Sequence, residues 1–182
     1  AHEEALRERD IAQTEARRSK AVRDYLALMF RDAARGAGEG TPLTAKAVLD
    51  QAASRVAADF SADPATSAAV LKALGELHFH INDYAAAVPL LRRWLEHEAD
   101  IADPNAAADV RFTLAEAVHR MGQGEEARRL LAAAQRYWET DPPRHADVLL
   151  TSRMLQARLQ REDGDPEGAL AVLEAALRKR RA

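Results

Sequence analysis

The sequence predicts an all-α protein of antiparallel helix hairpins in series, and three observations predict it. The first is a recurring pattern. Leu71-x-x-Leu74-Gly75-x-x-His78 leads to Asn82-Asp83-Tyr84, Ala87 and Leu90-Leu91. Arg111-x-x-Leu114-Ala115-x-x-Val118 then leads to Gly122-Gln123-Gly124, Ala127 and Leu130-Leu131, and a looser copy runs from Ala157 through Asp163-Gly164-Asp165 and Ala169 to Val172-Leu173. The small residues Gly75, Ala115 and Ala157 are spaced by 40 and 42, and so are Ala87, Ala127 and Ala169. Such periods mark helical arrays, in which each repeat buries its apolar face only against a neighbour. The second observation is composition: 47% of the 182 residues are hydrophobic but only 5% aromatic, so the strong helix formers Ala and Leu fill the apolar positions. The third is the Asp-Pro pair at Asp63-Pro64, Asp103-Pro104 and Asp141-Pro142. Asp is a good N-cap and Pro suits the first helical position, so each pair reads as a helix start.

The elements follow in order. Residues 1–23 are dense in mixed charge, with Glu3, Glu4, Arg7, Glu8, Arg9, Asp10, Arg17, Arg18 and Lys20 and no Gly or Pro. That pattern predicts one long solvated helix with i,i+4 pairs. Leu6 and Ile11 are too sparse for a coiled-coil seam. From Val22 the apolar content rises through Tyr25, Leu26, Leu28, Met29 and Phe30, so this half is expected to pack on the repeats. Gly36 to Gly40 end the helix. Thr44 reads as the N-cap of a helix carrying Val48, Leu49, Ala52, Val56 and Phe60, which is expected to pair with the helix from Pro64 to His80. In each repeat, apolar residues at i, i+3, i+4 and i+7 give one buried stripe, and a turn of Gly, Asn or Asp reverses the chain. The small residues sit where two helix axes must approach closely. The resulting division is a charged leading helix and Gly-rich linker over 1–40, then a repeat domain over 41–182. Its repeats span about 44–80, 66–102, 106–140 and 146–180, the first two sharing a helix.

Bulk properties exclude several classes. A net charge of −3 with 30% charged residues gives no general attraction to nucleic acid or anionic membrane. No cysteine is present, which removes disulfides and thiol catalysis. No run approaches the roughly 18 apolar residues of a spanning helix, so no membrane insertion is expected. The chain opens on Ala1 inside a helical pattern and reads as a piece of a longer protein. A cytoplasmic location is expected, or a periplasmic one if a membrane span precedes the piece.

These residues resemble the tetratricopeptide repeat (TPR) family over residues 65–180. Leu74, Gly75, Tyr84 and Ala87 match its pattern in the first repeat, and Leu114, Ala115 and Ala127 match in the second. The third departs, with Gln156 where Leu is expected and Met154, Leu155 and Leu159 supplying the apolar face. The period also exceeds the usual 34 residues, as in longer-helix varieties. The resemblance implies a right-handed α-solenoid whose first helices line a concave groove. Carried over, groove positions are Lys72, Glu76, Phe79 and His80 in the first repeat. The second offers Asp109, Phe112, Glu116, His119 and Arg120, and the third Met154, Arg158, Arg161 and Glu162. Phe79 and Phe112 lie outside the core stripe and are candidate anchors for an apolar side chain of a bound peptide. The alternative for Phe112 is packing against the adjacent repeat.

The lead-in Ala21-Val22-Arg23-Asp24-Tyr25-Leu26, then Leu28-Met29-Phe30, Leu43-Thr44-Ala45 and Leu49-Asp50, is similar to the junction between kinase domain and C-terminal repeats in large bacterial serine/threonine protein kinases. That resemblance implies a regulatory or partner-recruiting tail. The chain itself has no Gly-rich phosphate loop, no His-Arg-Asp loop and no Asp-Phe-Gly. Gly36-Ala37-Gly38-Glu39-Gly40 lacks both a preceding strand and a following Lys-Ser/Thr, so it reads as a linker.

Other candidate chemistry has a plain alternative in each case. His78 and His80 diverge by about 200° on a helix and cannot share a metal. His78 reads as a core residue, while His80 and His119 are either groove residues or the start of a metal site without a third ligand. Glu76 and Glu116 are either an acid-base pair or an acidic spot for a basic partner. Glu96, His97, Glu98 and the final Arg178-Lys179-Arg180-Arg181 read as solvated charge, and Trp94 and Trp138 as plugs between repeats. The expectation is a non-catalytic interaction module with no cofactor and no metal, binding a protein or peptide. The alternative is a homodimer formed through an exposed face of Val22, Leu26 and Met29 or through an uncapped last helix.

Overall fold

The computed structural model describes residues 2–36, 44–97 and 103–181, and among them are eight helices and no strand. They form two compact units, Ala1–Asp100 and Ile101–Ala182. Unit 1 holds α1 (His2–Gly36), α2 (Ala45–Asp59), α3 (Pro64–His80) and α4 (Tyr84–Glu96); unit 2 holds α5 (Pro104–Arg120), α6 (Gly124–Trp138), α7 (Ala146–Glu162) and α8 (Pro166–Arg181). The all-α class and the helix hairpins expected from the sequence are what the chain adopts. Residues 37–43, where the Gly-rich linker was expected, and Glu98 lie outside the described residues.

Three hairpins, α3/α4, α5/α6 and α7/α8, close through one shared reversal. Asn82, Gly122 and Gly164 occupy the left-handed region, with φ of 61°, 79° and 83°. The next residue's N–H reaches back five residues: Asp83 to the His78 carbonyl, Gln123 to Val118 and Asp165 to Gln160, each at 2.9 Å. This is the Schellman closure, which satisfies helix-end carbonyls that would otherwise be orphaned. Asp83 and Asp165 then cap the following helix by accepting the N–H of Ala86 and Gly168. A single residue thus ends one helix and begins the next. Gly75 explains the small-residue rule, since a Cβ there would lie 2.6 Å from Leu91 Cδ2 of α4.

Asp63 and Asp103 cap α3 and α5, with Pro64 and Pro104 in the first turn. Asp141-Pro142 does not start α7, contrary to the expectation. A second proline, Pro143, disfavours helical geometry at the residue before it and removes another donor. The chain therefore makes a turn closed by the His145 N–H on the Asp141 carbonyl, and α7 begins at Ala146. The pair that does start a helix is Asp165-Pro166.

In unit 1, α1 packs on both α2 and α3. Tyr25 and Met29 are buried, and Val22 and Leu26 are half-buried, so they form no exposed face for dimerisation; among the described residues, the large apolar side chains of α1 left outside are Leu28 and Phe30. Packing against α2 and α3 consumes the stripe instead. The Tyr25 hydroxyl donates its one proton to the Ala52 carbonyl at 2.9 Å, with Asp59 Oδ2 as a second, more distant acceptor at 3.2 Å, and its ring meets Phe60 edge-on at 5.0 Å. Burial first, then the Asp59 charge and hydrogen bond, push its phenol up to about 12. Thr44 caps α2 through the Ala47 N–H.

Unit 2 is centred on Trp138, fully buried with Ala108 and Ala134 and ringed by Phe112, Tyr137, Val148 and Leu149. The residue types touching it come from α5, α6 and α7, so Trp138 joins one hairpin to the next. Gln156, the departure in the third repeat, has a role there. Its Oε1 accepts from Gln135 Nε2 at 3.2 Å and from Arg153 Nη1 at 2.7 Å, while Gln135 also donates to Ser152. Arg153 continues the chain to Glu139. A polar ladder therefore fastens α6 to α7 where an apolar contact was expected.

Candidate interaction surface

In unit 1, the expected groove positions fall on α3. Lys72 and Glu76 pair at 3.6 Å along the helix, and His80 is exposed. Phe79 is half-buried and packs edge-on against His80 at 5.7 Å and Tyr84 at 5.6 Å. The Tyr84 hydroxyl in turn donates to Asn82 Oδ1. Tyr84 thus braces the reversal and holds Phe79 beside it. His78 is fully buried, as its helix-packing position implies.

Unit 2 brings more of the expected residues together. His119 of α5 meets Glu162 of α7 at 2.8 Å. Glu116, one turn earlier on α5, is half-buried, and burial is the largest influence on it, raising its carboxyl above the usual range. The guanidinium charges of Arg120 and Arg158, with His119 nearby, act in the opposite direction without cancelling it. Glu116 and Arg158 stand 42 apart in sequence, the repeat spacing itself, so successive first helices place equivalent positions side by side. Arg120 and Arg161 are exposed, and so is Met154, at 55%. Met154 lies one helical turn before Arg158 on α7, and its exposed thioether is an accessible apolar feature of this helix.

Two expected residues are engaged within the chain. Phe112 meets Trp138 edge-on at 5.7 Å and belongs to the core of unit 2. Asp109 accepts the Asn105 side-chain amide at 3.1 Å near the start of α5.

Sequence reasoning missed an open apolar cleft of about 780 Å³ in unit 2, lined by Pro142, Pro143, Leu149, Leu150, Val172 and Ala175. The double proline before α7 forms part of its wall, and α7 and α8 supply most of the rest. The signal in the sequence was Pro142-Pro143 itself, which the helix-start reading absorbed.

No family model and no curated relative matches the sequence. Among solved structures, one described as MamA AMB-1 C2221 has a TM-score of 0.52 at 22% identity, over 71% of this chain and 67% of that one. Another, MamA MSR-1 C2, has a TM-score of 0.53 at 24% identity, over 74% of this chain and 70% of that one. The fold is TPR-like. At these identities the likeness concerns the fold alone. The TPR-like helices leave the first-helix positions of unit 2 with half-exposed and exposed side chains, and no helix among the described residues is long and apolar enough to cross a membrane.

Proposed function

We propose that the chain is a non-catalytic protein-interaction module, which takes a peptide or partner-domain surface on the face carrying Glu116, His119, Arg120, Met154, Arg158 and Arg161. The observation that supports this reading is the clustering on α5 and α7: a half-buried Glu116 among Arg120, Arg158 and His119, the His119–Glu162 contact, and an exposed Met154 one helical turn before Arg158. Polarizable thioethers flanked by charge suit adaptable recognition of an apolar side chain with polar neighbours. Lys72, Glu76, Phe79 and His80 serve the same role in unit 1. A peptide library displayed on phage and selected on the purified chain tests it. Recovered peptides are expected to share an apolar residue flanked by charge and to lose binding roughly tenfold or more to Arg158→Glu and Met154→Lys, with unchanged helical circular dichroism. Failure to enrich any sequence, or equal binding by both variants, would overturn the reading.

In its wider context we read the chain as the partner-recruiting tail of a bacterial serine/threonine kinase. The support is the lead-in from Ala21 to Phe30, whose Tyr25 and Met29 are core residues of unit 1. A kinase catalytic core encoded upstream of Ala1 is the expected finding; a start codon at that point contradicts it.

One observation favours a second reading, self-association. Leu170 and Leu177, two helical turns apart on α8, are both at least half exposed. Sedimentation that stays monomeric at high concentration removes it.

A further inference from the structure

Asp50, His78 and Asp83 come from three elements of unit 1: α2, α3 and the cap of α4. One potential ligand atom from each lies within 4.8 Å of the others. His78 has no solvent exposure, yet neither ring nitrogen has a hydrogen-bond partner. Nδ1 faces Asp83 Oδ2 at 3.4 Å and Nε2 faces Asp50 Oδ1 at 3.8 Å. A buried imidazole left in this state costs stability. The fold does not require it: the same reversal in the α5/α6 hairpin holds Val118 in place of His78, equally buried, and Gln123 in place of Asp83.

The carboxylates already attract a cation. The Lys46 ammonium lies 3.1 Å from Asp50 Oδ2 and contacts Asp83 Oδ2 directly. Its hydrogen bond is the main influence holding the Asp83 carboxyl below its usual range. Lys46 is exposed, on a flexible stem, and enters from the solvent side. Asp83 Oδ1 is taken by the Ala86 N–H, which fixes the carboxylate and leaves Oδ2 facing the cluster.

We propose that Asp50, His78 and Asp83 bind a divalent first-row transition-metal ion, zinc foremost, with Lys46 as the internal cation that competes for the same position. One imidazole nitrogen and two carboxylate oxygens, with water completing the shell, are donors that zinc and cobalt accept readily. Magnesium and calcium prefer oxygen alone and lose the imidazole's contribution. On binding, Lys46 swings outward and the unpartnered ring nitrogen gains a ligand. The α4 cap through Oδ1 is retained.

The test is titration of the metal-free full chain with zinc and with cobalt, read by calorimetry, cobalt visible absorption and imidazole NMR. One ion per chain is expected, with the His78 resonances shifting. Asp50→Asn, which alters an exposed side chain, is expected to weaken binding roughly tenfold or more. Lys46→Met is expected to tighten it several-fold, an effect that ions held by surface histidines would not show. His78→Val, the residue type of the second reversal, is expected to fold and to lose the site. No saturable binding, binding unchanged by Asp50→Asn and Lys46→Met, or equal affinity for magnesium would each overturn the proposal.

Discussion

The first and second hairpin reversals use one backbone device with different side chains. Both end a helix with a left-handed residue and a five-residue return hydrogen bond, at Asn82 and at Gly122. Around that device unit 1 places His78 and Asp83, and unit 2 places Val118 and Gln123. The reversal needs only a residue that tolerates positive φ and a buried side chain of moderate volume behind it. Whatever exceeds that requirement is free to serve something other than the fold. The same contrast holds in the cores: unit 1 buries a phenol whose proton has two acceptors in reach, while unit 2 buries an indole whose Nε1 has no hydrogen-bond partner.

Trp138→Ala is the strongest way to sharpen this contrast. Removing the plug shared by α5, α6 and α7 is expected to cost about 3–5 kcal/mol, read by urea unfolding. A loss under about 1 kcal/mol would mean that unit 2 does not depend on its aromatic centre.

Next in size is the backbone device itself. A Cβ at Gly122 would meet nothing within 4 Å, so Gly122→Val isolates the conformational cost. We expect about 2 kcal/mol for a β-branched residue held at positive φ. Asn82→Gly is expected to change stability by only about 0.5 kcal/mol or less. Equal effects at the two sites would break the equivalence of the reversals.

Tyr25→Phe is expected to cost about 1 kcal/mol through the lost bond to Ala52. A phenol raised from 10.0 to about 12 holds its proton more tightly when folded, so its contribution is present below pH 10 and is lost as pH rises from 10 to 12. Alkaline unfolding curves of wild type and variant should therefore converge across that window. Parallel curves would contradict the assignment.

The smallest effect is expected for Glu116→Gln. A carboxyl raised by burial makes the folded state less stable as pH climbs from the unfolded value, 4.5, through the raised one. The variant should be slightly more stable at neutral pH and indistinguishable in acid. Thermal melts from pH 4 to pH 8 measure this, and a destabilised variant at pH 7 would show that Glu116 is paired more than it is buried.

Much of the fold was legible because helix boundaries are written locally. Asp63 and Asp103 announce α3 and α5, and Gly122 and Gly164 announce their turns. Asp141-Pro142 misled because its meaning depends on the next residue, Pro143. Asp165-Pro166 passed unread because it doubles as the end of the preceding turn. The α5–α7 face was legible through the repeat spacing that sets Glu116 beside Arg158. The 780 Å³ cleft was not, since its walls come from the Pro142-Pro143 turn, α7 and α8 together. The Asp50, His78 and Asp83 cluster was also hidden. Asp50 lies 28 residues before His78 on another helix, and the nearer His80 points elsewhere. Phe112 shows the limit of periodicity, because one ring can satisfy a groove register and still reach Trp138.

The proposed α5 and α7 face is tested most directly by where a bound peptide sits. A peptide recovered by display and titrated into the isotope-labelled chain should shift the NMR resonances of Glu116, Arg120, Met154 and Arg158 together, in a saturable manner. Shifts confined to Leu150, Val172 and Ala175, with the α5 and α7 face unmoved, would contradict it.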